Sequence, residues 1–384
     1  MHGTNRSSQY KSLNIRLSLR GILCCLLILG SYSCQPSRPE HAFAKSPYFQ
    51  LMDQYTVPDD SVGTTLFGFV PHDFAVAGDL MYLQPAWSSQ IVRTKPPFQF
   101  YEQVGHYGLG PGEYANPVHL VLDQSLLFYS DQANVLVKSL PLDSTKQTGY
   151  YAATTHTSES KFAVHFPYVA VLNNHLPLVS LYILQAGGKA RLVQEFLLLE
   201  SRYEVTSKFG LGGGGIHFDA EGDLYCIPDA PYVLYKFAIV EQAGEVQVKP
   251  LGQYDLTKAD WYLPWTAQKY RYYTRLKGAP KRLEFLGGAY TMVEDFALLE
   301  HLGSTAVLIQ MVKYNVDESE GMETRRILQC ITGEGRVLGT YRENVRLLGA
   351  ENDRAYFFHY KTAGKPATID VYQFQGSDGP SHQR

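Results

Sequence analysis

Short apolar stretches that alternate with polar residues recur along the body of the chain. Each unit contains a strand, a turn with Gly, Asn or Asp, and a second strand. This alternation predicts half-buried β-strands paired in hairpins. The units begin near residues 72, 118, 166, 216, 290 and 345, and most intervals are about 46–50 residues, the length of one four-stranded propeller blade. The pattern therefore predicts an all-β fold, a six-bladed β-propeller over residues 60–376.

The interval between the fourth and fifth units is longer and predicts an insertion at about 256–285. Two of the three Trp and four Tyr lie within sixteen residues of it, between Lys and Arg. A short helix after Pro264 would place Trp265, Lys269 and Tyr272 on one face. Such a surface could stack on sugars, contact a partner or pair with anions; the alternative is that the aromatics pack over the neighbouring blade. The candidate binding residues are Trp261, Trp265, Lys269, Tyr272 and Arg275.

The first segment has the pattern of a secretory signal peptide over residues 1–33. Its first twenty residues carry four Lys and Arg and no acid, and the apolar run at 22–29 is too short to cross a bilayer. Small residues then lead to Cys34, which resembles a bacterial lipoprotein processing site. That resemblance implies acylation of Cys34, with residues 34–59 as tether and N-terminal extension; an ordinary signal peptide cut nearby is the alternative.

The net charge limits the classes of partner, and the cysteine count limits the possible disulfides. The net charge is −3, and loss of residues 1–33 with their four positive charges would make it −7, so nucleic acid is not an expected partner. Besides Cys34, the processed chain would keep Cys226 and Cys330. A disulfide between these two is one alternative in an oxidising compartment, and two separate buried thiols are the other.

The loop at Gly108–Tyr114, which reads Gly-Leu-Gly-Pro-Gly-Glu-Tyr, carries a family resemblance. It is similar to the hallmark loop of the six-bladed β-propeller lipoproteins of Bacteroidetes, relatives of the NHL-repeat propellers. The resemblance implies an outer-membrane lipoprotein of the cell envelope, facing the periplasm or the surface, and no settled activity. A second Gly-rich loop at 210–215 lacks the Pro and Glu, and residues 377–384 are expected to be a flexible tail.

Three polar residues are candidates for a metal site. Alignment of the turns places Asp73, His119 and His217 at corresponding positions of three innermost strands, which line a propeller's central channel. His and Asp side chains can hold Zn²⁺ or Ca²⁺, and the resemblance to NHL-type enzymes implies metal-assisted lyase or hydrolase chemistry. The alternative is that these side chains are hydrogen-bonded linings of a wet channel, or point outward. The chain has no HExxH, paired-cysteine or Gly-x-Ser-x-Gly motif to support catalysis independently.

Two function classes follow from these patterns. The first is a non-enzymatic binding or scaffold module, anchored in the envelope, for a protein, peptide or glycan, with no cofactor. The second is a metal-dependent lyase or hydrolase with its site in the central channel. The Gly-rich loops lack the Lys-Ser/Thr ending of a nucleotide-binding loop, so they are expected to shape connections between blades.

Overall fold

The computed structural model describes the chain from residue 43 to residue 376 with internal gaps. The described ranges are 43–68, 73–85, 88–108, 113–131, 136–142, 151–153, 161–185, 189–203, 213–257, 261–317, 321–341, 345–362 and 364–376. The predicted signal peptide, Cys34 with most of its tether, and the tail at 377–384 lie outside these residues. Within them, six four-stranded antiparallel sheets are present, which confirms the predicted six-bladed β-propeller.

The first part of the described chain precedes the first blade. A 3₁₀ turn at Phe43–Lys45 leads to strand β1 (Phe49–Thr56) and helix α1 (Ser61–Phe67). Asp60 caps this helix, since its carboxylate accepts from Gly63 N at 2.8 Å.

The first three blades run from the inner to the outer strand in chain order. Blade 1 contains β2 (Asp73–Ala77), β3 (Leu80–Gln84), β4 (Ile91–Thr94) and β5 (Tyr101–Val104). A two-stranded parallel connection follows, β6 (His106–Tyr107) with β7 (Glu113–Tyr114). Blade 2 contains β8 (Pro117–Asp123), β9 (Leu126–Asp131), β10 (Leu136–Pro141) and β11 (Tyr151–Ala153). Blade 3 contains β12 (Lys161–His165), β13 (Tyr168–Leu172), β14 (Val179–Gln185) and β15 (Lys189–Phe196).

The last three blades include the insertion and the closure of the ring. After a 3₁₀ turn at Ser201–Tyr203, blade 4 contains β16 (Gly215–Phe218), β17 (Leu224–Ile227), β18 (Val233–Gln242) and β19 (Glu245–Asp255). Helices α2 (Ala267–Arg275) and α3 (Ala279–Ala289) follow. Blade 5 contains β20 (Met292–His301), β21 (Ser304–Asp317), β22 (Gly321–Thr332) and β23 (Val337–Tyr341). Blade 6 contains β24 (Val345–Glu351), β25 (Arg354–His359) and β26 (Thr368–Phe374), with β1 as its outermost strand.

The two ends of the propeller meet in blade 6. Strand β1 pairs antiparallel with β26, from Phe49 opposite Phe374 to Thr56 opposite Thr368. The propeller therefore begins before residue 60, and part of the predicted N-terminal extension belongs to the fold. The repeat pattern missed β1 because a lone strand has no hairpin partner next to it in sequence. The pairing of β1 with β26 holds the ring closed.

Blade 3 shows a second difference from the predicted pattern. The sequence places its first strand at 166–172, whereas the inner strand is β12 and residues 168–172 form the second strand. Phe166 and Pro167 form the turn between them. Pro167 has no N–H to donate to a ladder, which suits a turn better than a strand interior. The apolar run that continues through this turn hides the break.

The inner strands form a closed ring. Strands β2, β8, β12, β16, β20 and β24 each contact the next, and β24 contacts β2. Buried apolar clusters fill the space around them, as in the cluster that joins Phe74 of blade 1 to Tyr356 and Val371 of blade 6. We call the face that bears the turn between the first and second strands of each blade the turn face. The opposite face, where the inner strands begin, is the start face.

Carboxylates at the turn face link neighbouring blades. Each lies at or near the end of an inner strand and accepts a backbone N–H from the turn region of an adjacent blade. Glu351 accepts from Gly78 N at 2.9 Å, Glu300 from Ala220 N at 2.7 Å and Asp123 from Phe166 N at 2.7 Å. Because such charge-assisted hydrogen bonds are stronger than neutral ones, these acids contribute to blade alignment.

The two cysteines of the described body are separate. Cys226 and Cys330 are both free and buried, which confirms the alternative of two buried thiols and makes the disulfide alternative wrong. Burial raises the pKa of both thiols, so neither forms a reactive thiolate readily.

Candidate binding surface and central channel

The central channel is a cavity of about 500 Å³ lined by residues of all six inner strands. Its turn-face end carries the carboxylates of Asp123, Asp219, Glu300 and Glu351. Each of them accepts a backbone N–H, in the case of Asp219 from Asp223 at 2.7 Å. Burial is the main cause that raises the pKa of Asp219 and of Glu300, and neighbouring acids add to it. The channel is thus acidic at one end, and its acids are engaged by the fold.

The three predicted metal ligands occupy different environments. His217 lines the channel and packs edge-to-face on Phe296, with ring centroids 4.7 Å apart. His119 lies at the irregularity between Val118 and Leu120, with a φ of 55°. Asp73 starts its strand, and its side chain is outside the described part of the chain.

The strand register does not align these residues in the way that the turns suggest. Asp73 pairs with Gln84 at the start-face end of its hairpin, whereas His217 pairs with Tyr225 next to the turn. Among the described side chains, no group of three or more His, Cys, Asp or Glu has the geometry to hold a metal ion. The metal site with Asp73, His119 and His217 stays a prediction, as does the divalent cofactor.

The insertion between blades 4 and 5 folds as two helices on the start face. Thr266 caps α2 by accepting from Lys269 N at 3.3 Å, and Pro280 lies in the first turn of α3. The short helix predicted after Pro264 is present, whereas α3 was not predicted. Between its Gly278 N-cap and Tyr290, α3 carries a Gly-Gly pair, which weakens its helical pattern in the sequence.

Trp265 anchors the insertion from inside. Its side chain is 2% exposed, and its Nε1 donates to the Arg202 carbonyl at 3.0 Å. The indole packs against the rings of Tyr290 and Phe285, at centroid distances of 5.5 and 6.2 Å. Trp265 therefore packs in the interior, which agrees with the alternative that the aromatics of the insertion pack over the neighbouring blade. Its pattern in the sequence is the same as that of an exposed aromatic, so only the packing distinguishes the two.

The other predicted binding residues differ in how far their side chains are exposed and in whether their polar groups already have a partner. Trp261 is half-buried beside Tyr232, at a centroid distance of 5.7 Å. The Lys269 ammonium donates to the Pro264 carbonyl at 2.8 Å, which ties it to the start of α2. Tyr272 is 54% exposed, and Arg275 is exposed as well.

Exposed cations that are not among the predicted binding residues extend this surface. The basic face, as we define it, consists of Arg271, Tyr272, Arg275, Lys277 and Lys281. All five side chains are exposed. The four cationic groups make no hydrogen bond or ion pair with the described residues. The absence of Asp and Glu from 267–282 is the signal in the sequence that could have found this face.

A buried carboxyl lies beneath the insertion. Asp229 is 4% exposed; its Oδ2 accepts from the Tyr290 hydroxyl at 2.6 Å, while its Oδ1 has no partner among the described residues. A Cβ on Gly213 would collide with that oxygen, which accounts for glycine at this point of the second Gly-rich loop. Burial raises the pKa of Asp229 to about 7, although the hydrogen bond from Tyr290 opposes the shift.

The raised pKa of this carboxyl should contribute a pH dependence to the stability of the fold, and Asp229→Asn should remove that contribution. The pKa rises from 3.8 in the unfolded chain to about 7 in the folded one, so the folded state holds the proton more tightly. Stability from this group is complete below pH 3.8 and is lost as pH rises towards 7. We compare the free energy of unfolding of Asp229→Asn with that of the wild type. We expect the variant's value, relative to the wild type's, to rise by about 2–3 kcal/mol from pH 5 to pH 8.

Urea unfolding at several pH values measures this difference. Glu351→Gln, which removes one carboxylate from the turn face, is the control for the loss of a negative charge elsewhere in the fold. A constant difference between Asp229→Asn and the wild type would show that Asp229 is ionised throughout.

Comparison with known proteins shows the fold. No protein-family model matches the sequence, and no curated protein matches it significantly. The crystal structure of a Bacteroides fragilis protein proposed to be exported covers 88% of this chain and 97% of its own, with a TM-score of 0.55 at 10% identity. A DUF4221 family member from Bacteroides vulgatus covers 86% of this chain and 99% of its own, with a TM-score of 0.49 at 8% identity. The first likeness supports the propeller architecture. In the described part of the chain, no helix has the length and apolarity needed to span a membrane.

Proposed function

We propose that this chain is a non-enzymatic binding propeller of the bacterial envelope, anchored through an acylated Cys34. Its start face would present the insertion to an envelope protein, peptide or glycan. The observation that carries the proposal is the basic face. It holds an exposed tyrosine and four exposed cations that have no hydrogen-bond or ion-pair partner among the described residues, on an insertion that packs against blades 4 and 5. A rigid scaffold with function-bearing insertions is a common use of such folds, although the fold alone does not define the function.

The position of the insertion supports a role in contacting partners. Strand β1 begins at the turn face, since Phe49 pairs with Phe374, whose ring lies 6.5 Å from that of His301 at the end of β20. The insertion instead precedes the first residue of β20. Ten residues of extended strand, about 30 Å, separate the two faces there. The basic face and the point where the chain joins the ring thus lie on opposite sides of the propeller.

The location rests on the N-terminal pattern. The residues before Cys34 have the order of a signal peptide with a lipoprotein site, and the proposed export of the Bacteroides fragilis protein agrees with this. Two or three acyl chains at one cysteine would give stable attachment, which a single chain does not.

Anchoring is tested by Cys34→Ala in the native cells. We expect the variant to leave the membrane fraction, or to remain unprocessed, because acylation needs the thiol. The measurement is fractionation followed by a high-salt wash, which removes chains that are held only by charge. A variant that is processed to the length of the wild type and still stays with the membrane as fully after that wash would contradict the anchor.

Binding is tested with the same variant once it is purified. Added to isolated envelopes, Cys34→Ala should bind, and the further changes Arg271→Glu and Arg275→Glu should lower the bound fraction at least about fivefold, as like charges then face the partner. Lys189→Glu with Arg191→Glu is the matched control, because both residues are exposed on β15 and the charge change is the same. Equal loss in both pairs would show an effect of net charge and contradict a binding surface on the insertion.

A further inference from the structure

We infer that the basic face binds an anionic polysaccharide, through its four cations and the ring of Tyr272. This inference rests on the proposed function and specifies its ligand class. Carboxylate, sulfate or phosphate groups on the sugar chain would pair with the cations, and one sugar ring would lie on the tyrosine.

The charge of the insertion contrasts with that of the rest of the chain. Residues 261–291 carry six Lys and Arg against one Glu, whereas the whole sequence has 34 Lys and Arg against 37 Asp and Glu. A local positive surface on a chain of negative net charge attracts an extended polyanion to that face in particular. The wider surface repels it, which makes the binding position specific.

The cations fall into two groups. Arg282 serves the fold, since its Nε donates to the Leu276 carbonyl at 3.0 Å and its guanidinium lies over the Tyr273 ring at 5.3 Å. The cations of the basic face have no such partners among the described residues. A structural role therefore accounts for Arg282, and the contacts of the described residues give no such role to the four others.

The spacing of Arg271 and Arg275 is unfavourable for the helix alone. Both lie about 160° around α2 from the buried Tyr273, one turn apart on the outward side. Like charges at this spacing repel each other and destabilise a helix. The helix dipole favours Arg275 in the last turn but gives no such gain to Arg271. A line of negative groups along the helix would remove the repulsion.

The exposed ring of Tyr272 favours a polysaccharide over other kinds of polyanion. Its ring is 54% exposed and is supported from one side by Phe285, at a centroid distance of 4.9 Å. An exposed, supported ring offers a flat apolar surface next to the cations. Protein interfaces depend instead on apolar anchors in buried pockets, and on this face the large apolar side chains Trp265 and Leu286 point inward.

The test measures binding of the purified full-length chain to three polymers. Polygalacturonate carries carboxylates, heparin carries sulfates, and dextran is uncharged. We expect binding to the two anionic glycans, no binding to dextran, and a dissociation constant that rises steeply with NaCl. Arg271→Glu with Arg275→Glu should weaken binding to the anionic glycans at least about tenfold, while the control Lys189→Glu with Arg191→Glu should change it less than about twofold.

Tyr272→Ala separates sugar recognition from charge alone. We expect it to weaken binding to polygalacturonate about three- to tenfold and to leave binding to inorganic polyphosphate unchanged. Thermal melting of each variant confirms folding, which these exposed substitutions should preserve.

Three results would overturn the inference. One is failure of both anionic glycans to bind; another is equal loss of glycan and polyphosphate binding in Tyr272→Ala. The third is tighter binding of polyglutamate or of phosphatidylglycerol vesicles than of either glycan, which would assign the face to an acidic protein or a lipid surface. The polymer assays test the ligand class, whereas binding of the chain to isolated envelopes tests the proposed function. Failure of the inference and failure of the proposed function are therefore distinguishable.

Discussion

Replacing Trp265 by Ala should destabilise the protein by about 3–5 kcal/mol, the cost of removing a large buried aromatic side chain. The indole is 2% exposed, contacts the rings of Tyr290 and Phe285, and donates to the Arg202 carbonyl. Its loss leaves a cavity where the insertion meets blades 4 and 5 and leaves that carbonyl unpaired. The measurement is the free energy of unfolding in urea, with the slope of the transition compared between variants.

Tyr272→Ala is the matched control for this prediction. It removes an aromatic side chain from the same insertion, but one that is 54% exposed, so a loss below about 1 kcal/mol is expected. A loss of less than about 1 kcal/mol in Trp265→Ala, together with weakened binding to envelopes, would contradict the packing role and return Trp265 to the binding surface.

Replacing Lys138 by Met should cost a similar amount, about 3–5 kcal/mol, because it leaves a buried carboxylate without its cation. Lys138 and Asp131 are 1% and 0% exposed, and the ammonium lies 3.1 Å from Oδ2. The ammonium also donates to the Glu113 carbonyl at 2.9 Å, and Asp131 accepts from Asn116 N at 3.1 Å. The pair therefore ties blade 2 to the Gly-Pro-Gly-Glu-Tyr connection.

A second variant shows whether the charge is the cause. Lys138→Met with Asp131→Asn keeps an acceptor for the backbone amide but removes the buried charge, so it should be more stable than Lys138→Met alone by over about 1 kcal/mol. Lys361→Met is the control, because its ion pair with Asp59 is exposed and such pairs contribute about 0–1 kcal/mol. Equal losses in Lys138→Met and Lys361→Met would contradict the account.

The ring could be predicted from sequence because the hairpin is its local unit. A turn such as Gly78-Asp79 between two alternating strands is visible within a dozen residues, and its recurrence gives the blade. Pairings between distant segments leave no such signal. Strand β1 is assigned to blade 6 only by its partners around Phe374, and the turn at Pro167 is hidden inside an apolar run.

The candidate site was less predictable for the same reason. Trp265 and Tyr272 stand in one aromatic and basic segment, yet one packs inward and the other outward. The difference depends on where α3 packs, and α3 was not predicted. Arg271 is not among the predicted binding residues, because it belongs to the surface only through the helical turn that places it beside Arg275. In the channel, an irregularity at His119 and a long turn after Phe218 shift the register that the aligned turns suggest.

Photo-crosslinking from position 272 in native cells tests most directly whether the insertion is the binding surface. p-Benzoylphenylalanine replaces Tyr272 in one chain and Leu192, which is 43% exposed on β15, in the control. We expect an adduct with an envelope molecule from position 272 only, and its loss when Arg271→Glu and Arg275→Glu are added. No adduct from position 272, or the same adduct from position 192, would contradict a binding role for this surface.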